Sequence, residues 1–489
     1  MLRCLGLLLL ILGACSAPPP DEAVRVAFIG APEELAETGL RLSEPAQAVR
    51  AATAQGLVRL DESGEVVPGI AQSWIVTDDG LSYIFRLRDL AWPDGEAVTA
   101  QQVAAELRRT LRDLRGTTLG LDLAKVTEVR AMAGRVVEVE LASPMAQFLR
   151  LLAQPELGVL RDGTGLGPMR RAVAERETGG MLELAALSPS ARGLPEDEDW
   201  QEGVRPVRVA ALPAAQAIAA FADGRLDAVL GGRLMSLPLV DMGPLARGAV
   251  RVDAAIGTFG FDVTAGEGFL AEPANREAVA LAIDRDTLLA PFNLEGWTPA
   301  TRIVPPALPG NPRQNAERWT DLDLPARQAI ARRRAGAWRV ITGAPPLLRI
   351  ALPDGPGSDL LFRQVAEDLG AVGIAAERAG ANDLADLTLR DRVARYGQAR
   401  WFLNQFHCSV ERALCSAQAD ELVERATAEP DPATRAALLV QAEDALTGEN
   451  LFIPLGAPVR WSLLRSGVAG YLENAWATHP LFRLSGAPI

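Results

Sequence analysis

Residues 64–105 read GEVVPGIAQSWIVTDDGLSYIFRLRDLAWPDGEAVTAQQVAA. Leu81, Tyr83, Phe85 and Leu87 alternate with Ser82, Arg86 and Arg88, the period-two pattern of a strand with one buried face. Asp79-Gly80 just before it is a hairpin signal, because a tight turn needs positive φ and glycine supplies it without steric cost. Asp94-Gly95 marks a second turn. Thr99 then opens a helix: its hydroxyl can cap, Gln102 can close a capping box, and Val103, Leu107, Leu111 and Leu114 fall on one face. The stretch is a hairpin, a turn and a capped helix, a piece of α+β core with no evident catalyst.

The same string resembles the signature region of the family 5 extracytoplasmic solute-binding proteins of ABC importers, which take oligopeptides, dipeptides and nickel. Its usual form is P-x-hydrophobic-A-x-x-W, then D-D-G, F-x-L-R and W-x-D-G-x-x-x-T-A. Here Pro68, Ala71, Trp74, Asp78-Asp79-Gly80, Phe85, Leu87, Arg88, Trp92, Asp94, Gly95, Thr99 and Ala100 fill those places. Further along, Gly224, Arg225, Leu226 and Asp227 are similar to the family's G-x-x-D segment, and Ala282, Ile283, Asp284 and Arg285 to its A-I-D-R helix. The resemblance implies an α/β fold, α+β in part: a two-lobed periplasmic-binding-protein fold with an antiparallel subdomain inserted in the first lobe. It also implies capture of a peptide or other small solute between the lobes and delivery to a permease and ATPase. Catalysis and a cofactor are not expected.

Outward from that stretch, the 489 residues exceed one core and predict two large lobes. A net charge of -13 argues against nucleic acid, which is gripped by basic patches. Met1-Leu2-Arg3, the apolar run Leu5–Leu12 and Leu12-Gly13-Ala14-Cys15 read as a secretory signal, too short to span a bilayer. The ending resembles a lipobox, which implies that Cys15 is lipidated and holds a monomer at the cell envelope, on its periplasmic or extracytoplasmic side; the alternative is a plain signal peptide. The expected organisation is 1–14 signal, 15–22 lipidated cysteine and Pro-rich spacer, 23–254 first lobe with an insertion over about 46–165, 255–456 second lobe, and 457–489 return to the first.

Val207, Val209 and Ala211, the helix 214–222 and the strand 226–230 form an expected βαβ unit. Asn275 is the expected cap of a helix that opens the A-I-D-R segment, and Ser358–Leu369 and Pro432–Leu446 are further expected helices, the last with Gly448 as its stop. The Gly163–Pro168 run lacks the Lys-Ser/Thr of a P-loop and reads as a tight connection. Cys408 and Cys415 are the remaining thiols of an exported chain and are expected to pair; free thiols or two metal ligands are the alternatives. With His407 and His479 the only histidines, no His-rich metal cage is available.

For the ligand, the resemblance points to a W-x-x-D loop after a strand, whose Trp lines the cleft and whose Asp meets a peptide's α-ammonium. Here it reads Trp401-Phe402-Leu403-Asn404, with an amide in place of the acid. An amide cannot supply the charge-assisted bond, unless another acid such as Glu411 takes over. Trp401, Asn404 and His407 are the candidate ligand contacts, against the plainer reading of Trp401 as core. The competing function is a lipoprotein that keeps the fold but serves as a sensor or envelope scaffold.

Overall fold

The computed structural model describes residues 23–172, 181–240, 248–294, 296–308, 317–410 and 413–487. The signal, Cys15 and the spacer therefore lie outside the described residues, as does Glu411.

Two separate sheets organise the chain. The first has seven strands among the described residues, in the order Met169–Arg171, Leu182–Ala186, Val207–Leu212, Val24–Ile29, Ala228–Arg233, Arg460–Leu464, Val250–Asp253. The expected βαβ unit is present, with the Ala214–Ala222 helix stopped at Asp223 and Gly224. Its two strands do not touch, because Val24–Ile29 lies between them and is parallel to both. The second sheet has five strands, in the order Ala375–Gly380, Leu347–Leu352, Leu387–Val393, Gly257–Val263, Phe452–Gly456. The chain thus leaves the first sheet after Asp253, enters the second at Gly257, and returns between Gly456 and Arg460. Each sheet with its helices is one lobe of a two-lobed α/β fold.

The opening stretch builds a third, four-stranded antiparallel sheet, in the order Ala71–Val76, Ser82–Leu87, Val136–Leu141, Val126–Met132. Tyr83, Phe85 and Leu87 face inward as the alternation requires. The helix Ala100–Asp113 carries the full capping box: Thr99 Oγ1 accepts from the Gln102 amide, and Gln102 Oε1 accepts from the Thr99 amide. Trp92 is buried, with its indole donating to Gln102 Oε1 at 3.2 Å, and Asp79 Oδ1 accepts from the Leu81 amide at 3.0 Å. These residues make the fold. The core of this insert runs on into Tyr396, Trp401, Phe402, Leu446 and Phe452 of the second lobe, so the two are packed together.

Some local expectations are corrected. Asn275 is not a cap: the helix is Pro273–Ala282, started one turn earlier by Pro273, whose fixed φ suits the first turn. It stops before Asp284, whose carboxylate bonds the Asp286 amide and the Thr287 hydroxyl instead of allowing another turn. The Ser358 helix likewise begins at Pro356. The last long helix, Pro432–Glu449, runs through Gly448 and ends at Asn450, which takes the left-handed conformation. Residues 324–342, for which the sequence offers no expectation, form a helix capped by Asp323. Gly165 and Gly167 are glycines for packing: an added Cβ would come within 2.3 Å of Ala54 and 2.2 Å of the Thr53 backbone.

Candidate functional site

Two features lie where the lobes join. The first is polar. Tyr396 and Asn404, from the second lobe, both reach Asp122 in the insert: the Tyr396 hydroxyl donates to Asp122 Oδ1 at 3.0 Å and the Asn404 amide to the same oxygen at 2.7 Å. Arg400 donates to the Asp122 and Leu121 carbonyls. Arg395 holds both oxygens of buried Glu156, at 2.8 and 3.0 Å. Asp122 is wholly buried and its Oδ2 has no hydrogen-bond partner. Burial pushes its carboxyl up to about 6, against the opposing pull of the Arg400 charge and the two hydrogen bonds. Nearby, burial lowers Lys125 to about 7; its ammonium donates to Ser143 Oγ at 2.6 Å.

The second feature is a cavity of about 680 Å³ between the two crossover segments. Its wall is drawn from residues 252–259, 296–308 and 452–459 with Leu294 and Glu317. Its wall is apolar except for a few groups that are mostly engaged. Asp253 accepts from the Asn474 amide at 2.9 Å and lies 3.0 Å from His479 Nε2. Glu317 accepts from the Thr301 amide and hydroxyl, and Arg302 is not free. Thr258 and Thr298 also line it; Thr298 is exposed, whereas the Thr258 hydroxyl is buried and has no partner.

None of the three candidate contacts is on the wall of this cavity. Trp401 and Asn404 sit on a short helix, Ala399–Asn404, not on a loop. Trp401 is 2% exposed and meets Phe402 edge-on at 4.9 Å, while the Asn404 amide is committed to Asp122. His407 lies 3.7 Å from Asp420 and 3.8 Å from Glu424, and its Nδ1 accepts from the Ser409 amide. Next to it Cys408 and Cys415 are joined as a disulfide. No group of three or more His, Cys, Asp or Glu that could hold a metal is formed among the described residues. Asp122 and Tyr396 escaped the sequence reading, since no motif surrounds them and their partners are distant in the chain.

Residues 65–406 match the model of the bacterial extracellular solute-binding proteins, family 5 middle. The chain belongs to this family. Among the relatives of this family 5 protein, the glutathione-binding protein GsiB of Shigella dysenteriae is 23% identical, over 92% of this chain and 91% of that one. Among solved structures, Haemophilus influenzae OppA in complex with RPPGFSPFR superimposes with a TM-score of 0.78 at 18% identity, covering 95% of this chain and 99% of that chain. The murein tripeptide binding protein MppA of Escherichia coli gives 0.76 at 18% identity, covering 94% and 97%. At these identities the structural likeness shows the fold.

Proposed function

We propose that this family 5 protein is the solute-binding component of an ABC importer. It captures a peptide or similar small solute between its lobes, encloses it by a hinge at residues 254–256 and 457–459, and hands it to a membrane permease driven by an ATPase. The observation that carries this reading is the cavity placed between the only two crossovers that join the sheets among the described residues, where closing one lobe on the other encloses what lies between. The named cargoes of the relatives, glutathione, a peptide and a murein tripeptide, favour the same class of solute.

The lobes in this reading are 23–254, with an insertion over about 46–165, and 255–456, with 457–489 returning to the first. The strand memberships support that division. Trp401, Asn404 and His407 contribute to solute binding only once the lobes part, because Asn404 must first leave Asp122. The protein acts as a monomer outside the cytoplasm, held to a membrane through lipidated Cys15 after removal of the signal. No described helix is long and apolar enough to cross a membrane.

The test is a thermal-shift and native mass-spectrometry screen of the purified protein against peptides, sugars, metal chelates and uncharged organic solutes. Binding of at least one class with one-to-one stoichiometry is expected. If no class binds, the import reading fails.

A further inference from the structure

The helix Leu324–Thr342 carries five arginines and no acid, in a chain whose net charge is -13. Its inner face is apolar: Ala331 and Ala335 are buried, and Trp338 meets Phe269 edge-on at 5.7 Å. Arg332, Arg333, Arg334 and Arg339 are exposed. The Arg332 guanidinium donates to the Ala371 carbonyl, and none of the four is held in an ion pair among the described residues. Beyond Trp338 the sequence stays apolar although the core does not take it up: Val340 and Ile341 are 87% and 82% exposed. Gly343, in the left-handed conformation, ends the helix, and half-exposed Leu347 opens the next strand. The tip thus sets bare aliphatic side chains beside unpaired guanidinium groups, a pairing that suits the boundary between lipid headgroups and acyl chains.

Strand directions place this tip far from the crossovers. Gly257, where the chain enters the second sheet, pairs with Val393, whereas Ile350 pairs with Leu387 at the other end of that strand. Leu347 lies further out still, so the helix end that leads into it is at the outer end of the second lobe. In the first lobe Arg460, at the crossover, pairs with Arg233, and Val24 lies at the opposite end, where its amide donates to the Pro206 carbonyl. Glu196, Asp197, Glu198, Asp199 and Glu202, all exposed, shortly precede Pro206. A tether at Cys15 therefore leaves from an acidic end of the molecule, and the basic tip is at the outer end of the other lobe. An anionic surface repels the first and attracts the second. The chain from Cys15 to Ala23 spans at most about 28 Å, which keeps the body near the bilayer and makes the contact intramolecular, so that a modest patch suffices.

We propose that the tip of this helix is a contact site for an anionic lipid bilayer, so that the protein rests on the membrane through its second lobe as well as through Cys15. This goes beyond solute binding and rests on the reading of the chain as lipid-anchored. Arg333, Arg334 and Arg339 meet the headgroup phosphates, while Val340 and Ile341 enter the layer beneath them.

The probe is a nitrobenzoxadiazole fluorophore attached at Ile341→Cys in the full-length protein, carried on vesicles of phosphatidylglycerol and phosphatidylcholine in equal parts. The parent chain, taken through the same labelling, gives the background. A blue-shifted emission that nitroxide-bearing lipid quenches is expected. Arg333→Gln with Arg334→Gln should lower the ratio of lipid-embedded to water-facing label by up to about 25-fold. High salt, or vesicles of phosphatidylcholine alone, should weaken the contact with no substitution at the arginines, which covers a variant that misfolds. Vesicle-bound protein whose label stays in water overturns the proposal and leaves the anchor standing. A shift indifferent to the arginines, to salt and to lipid charge also overturns it. So does a shift seen in native membranes but not on lipid alone, which points to a membrane protein as the partner. Protein that binds anionic vesicles only upholds the contact and counts against the lipid anchor, whereas protein that binds neither kind overturns both.

Discussion

Asp122→Asn is the substitution that most directly tests the electrostatics of the closed form. In the folded protein burial moves the Asp122 carboxyl from its ordinary 3.8 up to about 6. A carboxyl raised in this way holds its proton to higher pH when folded than when unfolded, so between about pH 4 and 6 the folded form binds more protons and stability falls as pH rises. A shift of about two units corresponds to about 3 kcal/mol of destabilisation above pH 6, as an upper bound. An asparagine keeps the Oδ1 acceptor for Tyr396 and Asn404 and carries no charge. Its amide nitrogen would replace the unpartnered Oδ2 and stay unpaired, a cost of about 1–2 kcal/mol that does not vary with pH. Asp368, also raised to about 6 by burial, keeps its own share of the slope. The readout is therefore a difference: the melting temperature of Asp122→Asn minus that of the parent, followed from pH 4 to pH 8. It should climb between pH 4 and 6 and level off above, ending at a net gain of about 1–2 kcal/mol. A flat difference would refute the burial argument, and a falling one would show that the Arg400 charge outweighs burial at Asp122.

Asn404→Asp should have the opposite character. It sets two carboxylates on a contact of 2.7 Å, worth about 6 kcal/mol of repulsion at an effective dielectric of 20 unless the pair shares a proton. Scattering and thermal melts should show a near-normal closed form around pH 5 and an opened or destabilised one above pH 7; indifference to pH would show that Asn404 and Asp122 do not meet. Cys15→Ser should release the protein from the membrane fraction of cells that express it, and unchanged membrane association would count against lipidation.

The parts of the fold that were legible in the sequence are those encoded within a few residues. The Thr99–Gln102 box, the Asp79 turn and the Tyr83–Leu87 alternation each need only neighbours, and each forms as read. The helix 324–342 was not read because its fixed points are Ala331 and Ala335, small residues that leave no apolar stripe among its arginines. Asn275 was misread because an Asn that looks like a cap is outweighed by a Pro two positions earlier. The cavity could not be read at all: its wall is drawn from 252–259, 296–308 and 452–459, with nothing local to mark them as one site.

Asn404 shows where such reading stops. Its departure from the expected acid was visible from one position, and the natural conclusion was that a carboxylate is missing from the cleft. The structure keeps a carboxylate there, contributed by Asp122 from 282 positions away and bonded to that same amide. An acid at 404 would leave a free charge for a cationic solute when the lobes close; an amide at 404 instead gives the second lobe a donor for the insert. Closure in this protein is therefore supported by a bond between its own parts, and a solute need not carry an ammonium to complete it.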